Sequence, residues 1–585
     1  MHKFSELLKI TRPHWKLFIT APLLVLTEVS AELAQPELMA EIVNRGVIGG
    51  EQNVIFPIGM KMLAITLLGM IGGILSIYAA GKVAYTFGAD LRQAMFGKIS
   101  HFSFENMDRL QTGSLITRMT GDVTKIQHVT QASMRLLFRA PFLFIGAIVM
   151  VLSMNGSITS ILLIMLPILL FCIITILRRS YPYFLSIQKK TDRINTILQE
   201  NLTGARVIKA YVREDGEKER FRLANDNLID TTIKANKITI LMMPVLSLII
   251  NIGILFVIWI GGIKVGLGEM NVGEIMACIN YLAQILMSLM MASKVIMSIT
   301  EARASMTRIQ EVLNTKNKNS EKDGDEKLQE IHTLSLDHVC FKYAHQSNGK
   351  RPIKNEDEGP EDEYVLKDIS FSLTRGETLA IVGGTGSGKT TLTNLISRFY
   401  EVSAGSIKIN GIDIKSYHPK DLRRKIGTVM QNSTLFSGSI ADNIRWGKND
   451  ATNAEITNAC KMAQIHDFIL TLDNGYEHRL EQGANNLSGG QRQRICIART
   501  LIGNPDIIIM DDSMSAIDFH TEALLRKALR NINATKIIIA QRICSIMEAD
   551  KILLLDDGKT IGYGTHKDLL ENNQVYQEFF KSQAS

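Results

Sequence analysis

A glycine-rich segment carries the residues best suited to phosphate chemistry. It follows an apolar run at 378–382, precedes a helical pattern at 391–396, and reads Gly383, Gly384, Thr385, Gly386, Ser387, Gly388, Lys389 and Thr390. This spacing, between a strand and a helix, is the P-loop pattern. Backbone N–H groups of such a loop close on phosphate oxygens, and the helix N-terminus adds partial positive charge. We expect Lys389 to reach the outer phosphates of a nucleoside triphosphate and the Thr390 hydroxyl to bind Mg²⁺.

Two further segments extend this phosphate chemistry. An apolar run at 507–510 ends in Asp511, and a buried strand that ends in a carboxylate is typical of the second half of a nucleotide and Mg²⁺ site. Between the two segments lies a short run before a helical pattern at 492–500, namely Leu487, Ser488, Gly489, Gly490 and Gln491. Small residues before a helix N-terminus form another phosphate cradle. Two such cradles in one chain exceed the needs of one nucleotide.

The elements that must position these residues divide the chain of 585 residues into two halves. Long apolar runs fill the first half, whereas strand and helix patterns alternate in the second. Residues 345–363 form an acidic, polar insert, which we interpret as a surface loop. We therefore predict an amphipathic surface helix at 1–15, a membrane domain at 16–312, a polar linker at 313–330 and a nucleotide-binding domain at 331–585.

The first half contains six candidate membrane spans. A spanning helix needs roughly 20 mostly apolar residues, and the candidates lie at 17–44, 58–84, 134–154, 157–178, 238–264 and 273–298. The links after the second and fourth spans are long and rich in Lys and Arg, whereas the other links are short and nearly free of them. Because positive loops stay in the cytoplasm, we expect a multi-pass protein of the cell membrane with both termini and the nucleotide-binding domain in the cytoplasm.

The long links are predicted to be helical. Apolar residues recur in them at helical spacing, and a structureless connection of this length is unusual in a compact protein. We expect the spans to continue as helices into the cytoplasm, with short reversals near 105–113 and 212–216.

Two carboxylates interrupt the first span. Glu28 and Glu32 lie four residues apart, on one helical face, and carboxylates at membrane depth usually face a cavity or a partner. They form either a polar patch for cationic cargo or a hydrogen-bonded contact between helices. The last two spans are rich in methionine, including Met287 and Met291. Such a stripe suits a cavity that accepts many apolar shapes, although ordinary packing also explains it.

Composition excludes several other classes of protein. The formal net charge is +7, but no compact basic stripe with interleaved aromatic residues is present, so no nucleic acid partner is expected. The six cysteines are scattered without a CxxC spacing, which argues against a disulfide framework or a cysteine metal site.

The order of these motifs resembles the ABC exporters. The run Leu-Ser-Gly-Gly-Gln at 487–491, between the P-loop and Asp511, is similar to the ABC signature, and the whole chain resembles fused half-transporters, especially those of bacterial heterodimeric multidrug exporters. The resemblance implies an α-helical six-span transmembrane domain followed by an α/β P-loop ATPase domain. It also implies that two chains sandwich two ATP molecules, each between the P-loop of one chain and the signature of the other.

The resemblance assigns roles to further residues. Tyr343 matches the aromatic residue that stacks on adenine, and Thr391 extends the ATP-binding segment. Gln431 matches the Q-loop glutamine that contacts Mg²⁺, beside Thr390 and Asp511. Residues 515–518, with Ser515 and Asp518 at their ends, match the D-loop.

Two catalytic positions depart from the family pattern. The family places a glutamate directly after the Walker B aspartate and a histidine after a later strand, whereas this chain has Asp512 and Gln541. Aspartate is one methylene shorter than glutamate, and a misplacement of about 1 Å can cost on the order of 10²-fold in rate. Glutamine carries no charge near neutral pH. Both changes affect phosphate cleavage, while the ATP-binding residues remain.

These patterns predict a transporter ATPase that uses ATP and Mg²⁺. We expect one half of a heterodimer that exports small hydrophobic or amphipathic molecules such as drugs across the bilayer, paired with a homologous half-transporter carrying Glu and His. Its own P-loop site should bind ATP and hydrolyse it poorly, while its signature completes the partner's site. The alternatives are a slow homodimeric exporter of lipid or peptide and an ATP-gated regulatory membrane protein that does not pump.

Overall fold

The computed structural model describes residues 15–154, 156–316, 324, 326–343, 364–539 and 546–584. Of the predicted segments, the surface helix at 1–15 (except Trp15), the insert at 345–363 and Gln541 lie outside these ranges. The chain forms two compact units. The first contains the described residues up to Ile99 together with Leu115–Asn314, and the second contains Ser100–Ser114 together with the residues from Thr315 onward.

Long helices build the first unit. The long helices are α1 (Trp15–Glu41), α2 (Gln52–Ile99), α5 (Val123–Met154), α6 (Gly156–Thr203), α8 (Glu214–Thr239), α9 (Met242–Gly266) and α10 (Val272–Asn314). Three short helices lie between them in the chain: α3 (Phe104–Leu110), which belongs to the second unit, α4 (Thr112–Thr117) and α7 (Ala205–Ala210). Two π-helical turns, Ile42–Ile48 and Arg118–Asp122, follow α1 and precede α5.

Six segments of this unit are long and apolar enough to cross a membrane. They are Lys16–Ile48, Gln52–Ile99, Thr112–Met154, Thr159–Thr203, Glu214–Gly266 and Val272–Ser293. The 48 residues of α2 extend about 70 Å at 1.5 Å per residue, more than twice the roughly 30 Å of a bilayer core. The prediction that the spans continue as helices beyond the membrane is therefore confirmed.

Both predicted reversals are present. The first is the pair α3 and α4, and the second is the turn between α7 and α8. Val212 in the second turn has φ +51°, a left-handed conformation that is uncommon for a β-branched residue. Its side chain and that of Tyr211 are largely exposed.

Three sheets form the second unit. The strands are β1 (Thr333–Phe341), β2 (Leu366–Thr374), β3 (Thr378–Gly383), β4 (Ala404–Ile409), β5 (Ile412–Asp413), β6 (Ile426–Val429), β7 (Gly438–Ser439), β8 (Arg479–Leu480), β9 (Ile507–Asp511), β10 (Thr535–Ile539), β11 (Lys551–Asp556) and β12 (Lys559–Gly564). The six-stranded sheet has the order β12-β11-β3-β10-β9-β6, and its strands are parallel except for β12. The order β2-β1-β4-β5 forms an antiparallel sheet, and β7 pairs with β8.

Helices flank the parallel strands of this unit. They are α11 (Lys389–Ile396), α12 (Pro419–Lys425), α13 (Ile440–Arg445), α14 (Asn453–Met462), α15 (His466–Leu470), α16 (Gly489–Leu501), α17 (Phe519–Arg530), α18 (His566–Asn572) and α19 (Gln574–Ala584). All five residues of β9 and of β10 are buried, as expected for central strands that are covered on both faces. The α/β architecture predicted from the sequence is confirmed.

A short segment that lies between α2 and α5 in the chain packs within the second unit. The ring of Phe104 stacks on Phe399 with centroids 4.4 Å apart, and the Tyr400 hydroxyl donates a hydrogen bond to Asp108. Asn106 and Arg109 donate hydrogen bonds to the backbone oxygen of Lys316 and to the side chain of Thr315. The linear domain boundaries drawn from the sequence did not anticipate this arrangement, because nothing local marks residues 100–114 as part of the ATPase unit.

Candidate active site

The carboxyl ends of three parallel strands bring the predicted site together. The glycine-rich segment follows β3, Asp511 ends β9, and Gln431 lies just after β6. Because parallel strands end at the same edge of a sheet, this edge is where ligands bind in open α/β folds. The strand order places β10 between β3 and β9. The residues that follow β10, including Gln541, lie beyond the described part of the chain.

The backbone of the P-loop accepts hydrogen bonds from the loop's own lysine. Lys389 Nζ donates to the backbone oxygens of Gly383 and Gly384 at 2.9 and 2.6 Å. Burial lowers the pKa of the Lys389 ammonium, and the nearby carboxylates of Asp511 and Asp512 oppose that shift. Gly388 has φ +97°, and a Cβ there would lie 2.6 Å from the side chain of Leu366. The loop therefore requires glycine at this position, and its lysine lies near the carboxylates of Asp511 and Asp512 at the end of β9.

Thr390 and Asp511 form a pair of hard oxygen atoms. The Thr390 hydroxyl donates to Asp511 Oδ1 at 3.0 Å. Burial raises the pKa of the Asp511 carboxyl; Asp512 adds to that shift, while the Thr390 hydrogen bond and Lys389 oppose it. Carboxylate and hydroxyl oxygens suit Mg²⁺, so this pair fits the predicted metal. Gln431 is exposed in its loop, and the remaining P-loop residues, Thr385, Gly386 and Ser387, precede the helix that carries Thr390.

Asp512 adopts a strained position directly after Asp511. Its φ is +46°, in the left-handed region that Asp tolerates better than most residues. The Ser515 hydroxyl donates to the backbone oxygen of Asp512 at 2.9 Å, which ties the start of the D-loop to this turn. Asp512 therefore occupies the position after the buried aspartate that the sequence predicted.

An aromatic cluster surrounds Tyr343. Its hydroxyl lies 3.0 Å from Thr391 Oγ1, and its ring meets Phe341 and Tyr400 edge to face at 4.9 and 5.3 Å. Tyr400 is the same residue that bonds Asp108. Burial and the hydrogen bond to Asp108 raise the pKa of the Tyr400 phenol. Sequence reasoning identified Tyr343 but missed Tyr400, which lies 57 positions away and carries no motif.

The signature segment packs against the D-loop. Ser488 caps α16: its Oγ accepts from the Gln491 amide at 3.3 Å, and its own amide donates to Gln491 Oε1 at 2.8 Å. A Cβ on Gly490 would lie 2.7 Å from the Ala516 backbone oxygen, whereas one on Gly489 would meet Ala516 only at 3.5 Å. Leu487 is buried, and Asp518 caps α17 through the Thr521 amide.

The predicted cavity residues lie in the first unit. Glu28 and Glu32 form ion pairs with arginines of α5, which favours the contact between helices over a patch for cationic cargo. Met287 is 51% exposed, and Met291 is partly buried.

Both halves match known protein families. Residues 18–289 match the ABC transporter transmembrane region, and residues 366–515 match the ABC transporter family. The chain is 40% identical to the uncharacterized ABC transporter ATP-binding protein YfiB of Bacillus subtilis, over 99% of this chain and 98% of that protein. It is 32% identical to a fatty acid ABC transporter ATP-binding/permease protein of Mycobacterium bovis, over 84% and 76% respectively.

A solved structure shares the complete fold. The structure of a bacterial Atm1-family ABC exporter with ATP bound matches with a TM-score of 0.82 and 25% sequence identity, over 97% of this chain and 99% of that chain. This protein belongs to the ABC transporter family, as an exporter half-transporter in which a six-helix membrane region is fused to an ATPase domain.

Proposed function

We propose that this chain is the ATP-holding half of a heterodimeric exporter in the cell membrane. Its own P-loop site binds ATP and cleaves it slowly, and its signature completes a faster site on a homologous partner that carries Glu and His. The Lys- and Arg-rich links support an orientation with the ATPase domain and both termini in the cytoplasm. The cargo is a small hydrophobic or amphipathic molecule.

The retained binding residues support ATP binding by this chain. The amides and Lys389 of the P-loop face phosphates, Tyr343 stacks on adenine, and Thr390 and Asp511 would hold Mg²⁺, with Gln431 completing its ligands. Bound Mg²⁺ neutralises charge on the outer phosphates. A cation beside Asp511 favours the ionised carboxylate and offsets the burial that raises its pKa.

The single observation that carries the asymmetric site is Asp512. It stands directly after the Mg²⁺-binding aspartate, where related ATPases have a glutamate that orients the attacking water. Its side chain is one methylene too short, which costs on the order of 10²-fold in cleavage. Gln541 in place of histidine acts in the same direction, because glutamine cannot carry positive charge beside the developing phosphate.

An intact signature gives this half a role at the other site. The cap of α16 by Ser488 and the close packing of Gly490 on Ala516 hold this segment in a defined turn. ATP binding closes the paired ATPase domains, the segments around α3 and the α7–α8 turn transmit the closure, and the membrane cavity opens outward. Cleavage at the partner's site resets the cycle.

Lipid is the second candidate cargo. One relative at 32% identity is named a fatty acid transporter, and fatty acids are amphipathic molecules of the class proposed here. A lipid or a drug fits the same apolar spans.

ATP turnover tests the asymmetric heterodimer. The chain is purified alone and together with the homologous half-transporter that co-purifies with it, and turnover and detergent-corrected mass are measured. We expect a nearly inactive chain and an active complex of two different subunits. A homodimer that turns over as fast as the complex would overturn the proposal.

A further inference from the structure

Four charged side chains meet between two of the candidate membrane spans. Glu28 and Glu32 lie on α1, within the span Lys16–Ile48, and Arg135 and Arg139 lie on α5, within the span Thr112–Met154. Gln284 of α10 joins them by donating to the Glu32 backbone oxygen at 3.2 Å. Charged groups at membrane depth are costly and usually mark a functional site. We call these five residues the charged cluster.

The two arginines are engaged unequally. Arg139 bonds both carboxylates, through a short contact with Glu28 and a 2.8 Å bond to Glu32. Arg135 reaches only Glu28, which it shares with Arg139, at 3.3 and 3.5 Å. Such distances are long for charge-assisted hydrogen bonds. Arg139 therefore holds the cluster together, and Arg135 is the charged group with the most binding capacity left.

The unpaired atoms of the cluster favour an incoming acceptor. Among the residues that the structure describes, the buried Nε atoms of Arg135 and Arg139 have no hydrogen-bond partner, and neither has Gln284 Oε1. Two donors thus remain against one acceptor. The guanidinium side chains of Arg135 and Arg139 are 27% and 17% exposed, so an anion can accept from them, whereas a cation must compete with Arg139 for the carboxylates.

An apolar stripe adjoins the cluster. Gln284, Met287 and Met291 lie at positions i, i+3 and i+7 of α10 and therefore share one helical face. Met287 is half exposed, and flexible thioethers adapt to irregular apolar shapes. A polar head at Gln284 and a hydrocarbon tail along the two methionines would occupy one continuous surface.

We propose that the charged cluster binds the anionic headgroup of an amphipathic cargo, such as a carboxylate, with Arg135 as its ligand and Arg139 as a positioning residue. This inference rests on the proposed export of amphipathic molecules. It reverses the charge preference that Glu28 and Glu32 suggest on their own, because the two arginines balance the two carboxylates and Arg139 bonds both of them.

Three probes that share the same hydrocarbon tail and differ in headgroup charge test the preference for an anionic headgroup. Oleate, oleyl alcohol and oleylamine are compared for stimulation of ATP turnover and for ATP-driven uptake into inside-out vesicles that contain the complete complex. We expect oleate to act at the lowest concentration. Arg135→Gln should raise the half-saturating oleate concentration roughly 10- to 100-fold, the value of a charge-assisted hydrogen bond. Arg135→Lys should restore part of the affinity.

Two carboxylate variants give a matched pair. Glu28→Gln removes the anion that competes for Arg135, so the half-saturating oleate concentration should fall. Glu32→Gln should change it little, because among the described residues the Glu32 side chain is bonded to Arg139 and not to Arg135. Melting temperatures of all variants exclude misfolding as the cause. A merely structural cluster would instead lower stability in each variant and affect the three probes equally.

The outcomes separate this inference from the proposed function. If the complex moves none of the three amphiphiles, the proposed cargo class is wrong and the inference fails with it. If the complex moves oleylamine or oleyl alcohol as readily as oleate, or if Arg135→Gln affects all three alike, export of amphiphiles stands and the anionic headgroup site is wrong.

Discussion

Single residues of the ATPase unit differ in what their surroundings tolerate. Gly489 and Gly490 are neighbours in one motif. A Cβ on Gly490 would clash with the backbone oxygen of Ala516, whereas a Cβ on Gly489 would make an ordinary van der Waals contact with the Ala516 side chain. Asp512 lies in a left-handed turn that few residues adopt. The residue type at each motif position therefore depends on two things, namely its contact with the ligand and its packing against the rest of the protein.

Gly490→Ala is expected to destabilise the chain. Its Cβ would lie 2.7 Å from the Ala516 backbone oxygen, so the D-loop or the start of α16 must shift, at a cost of about 1–3 kcal/mol. Thermal unfolding of the purified chain should show a lower Tm. Gly489→Ala is the control and should leave the Tm nearly unchanged; equal shifts in both variants would contradict this account of the packing.

At the scale of elements, helices and strands follow from local pattern, whereas their contacts do not. The P-loop, the apolar strand before Asp511 and the helical links were all predictable, because each depends on neighbouring residues. The pairing of Glu28 with Arg139 was not, because these residues are separated by 111 positions and no periodicity connects them. Tyr400 was missed for the same reason: its partners, Asp108 and Tyr343, come from distant parts of the chain.

Tyr400→Phe is expected to weaken coupling between ATP turnover and transport. The ring that meets Tyr343 is retained, but the hydrogen bond from the hydroxyl to Asp108 is lost. The ratio of cargo moved to ATP cleaved should fall by a few-fold, with ATP affinity unchanged, since one hydrogen bond contributes about 1 kcal/mol.

Tyr417→Phe is the matched control for that variant. Tyr417 is a buried tyrosine of the same unit and donates from its hydroxyl to the backbone oxygen of Ile409, away from residues 100–114. It should preserve the transport ratio. A Tyr400→Phe complex with normal coupling would show that Asp108 does not transmit closure.

Asp122→Asn is expected to destabilise the membrane unit. Asp122, at the end of the π-helical turn before α5, is 2% exposed and accepts from Arg308 and Ser305 of α10. Asparagine turns one acceptor into a donor that faces Arg308, at a cost of about 1–3 kcal/mol. Thermal unfolding measures the effect. Glu311→Gln changes the half-exposed partner of Arg118, whose side chain is 10% exposed, but it keeps an acceptor oxygen for that arginine. It should therefore cost less than Asp122→Asn, and a larger loss there than at Asp122 would contradict the argument.

At the scale of the whole molecule, the chain combines one P-loop, one signature segment and one membrane region with six candidate spans. In the proposed heterodimer, the signature and the P-loop of this chain serve different nucleotides, so a second chain completes each site. The substitutions at Asp512 and Gln541 then give the two sites of the proposed heterodimer different tasks.

The most direct test of the asymmetric site isolates it within the complete complex. The partner's catalytic glutamate is replaced by glutamine, so that any remaining ATP turnover comes from the site of this chain's P-loop. We predict turnover near background, with ATP still bound and recoverable uncleaved, and a measurable gain when Asp512→Glu and Gln541→His are added. If the complex with native Asp512 and Gln541 retains substantial turnover after the partner's glutamate is removed, this chain's own site is catalytic and the ATP-holding role is wrong.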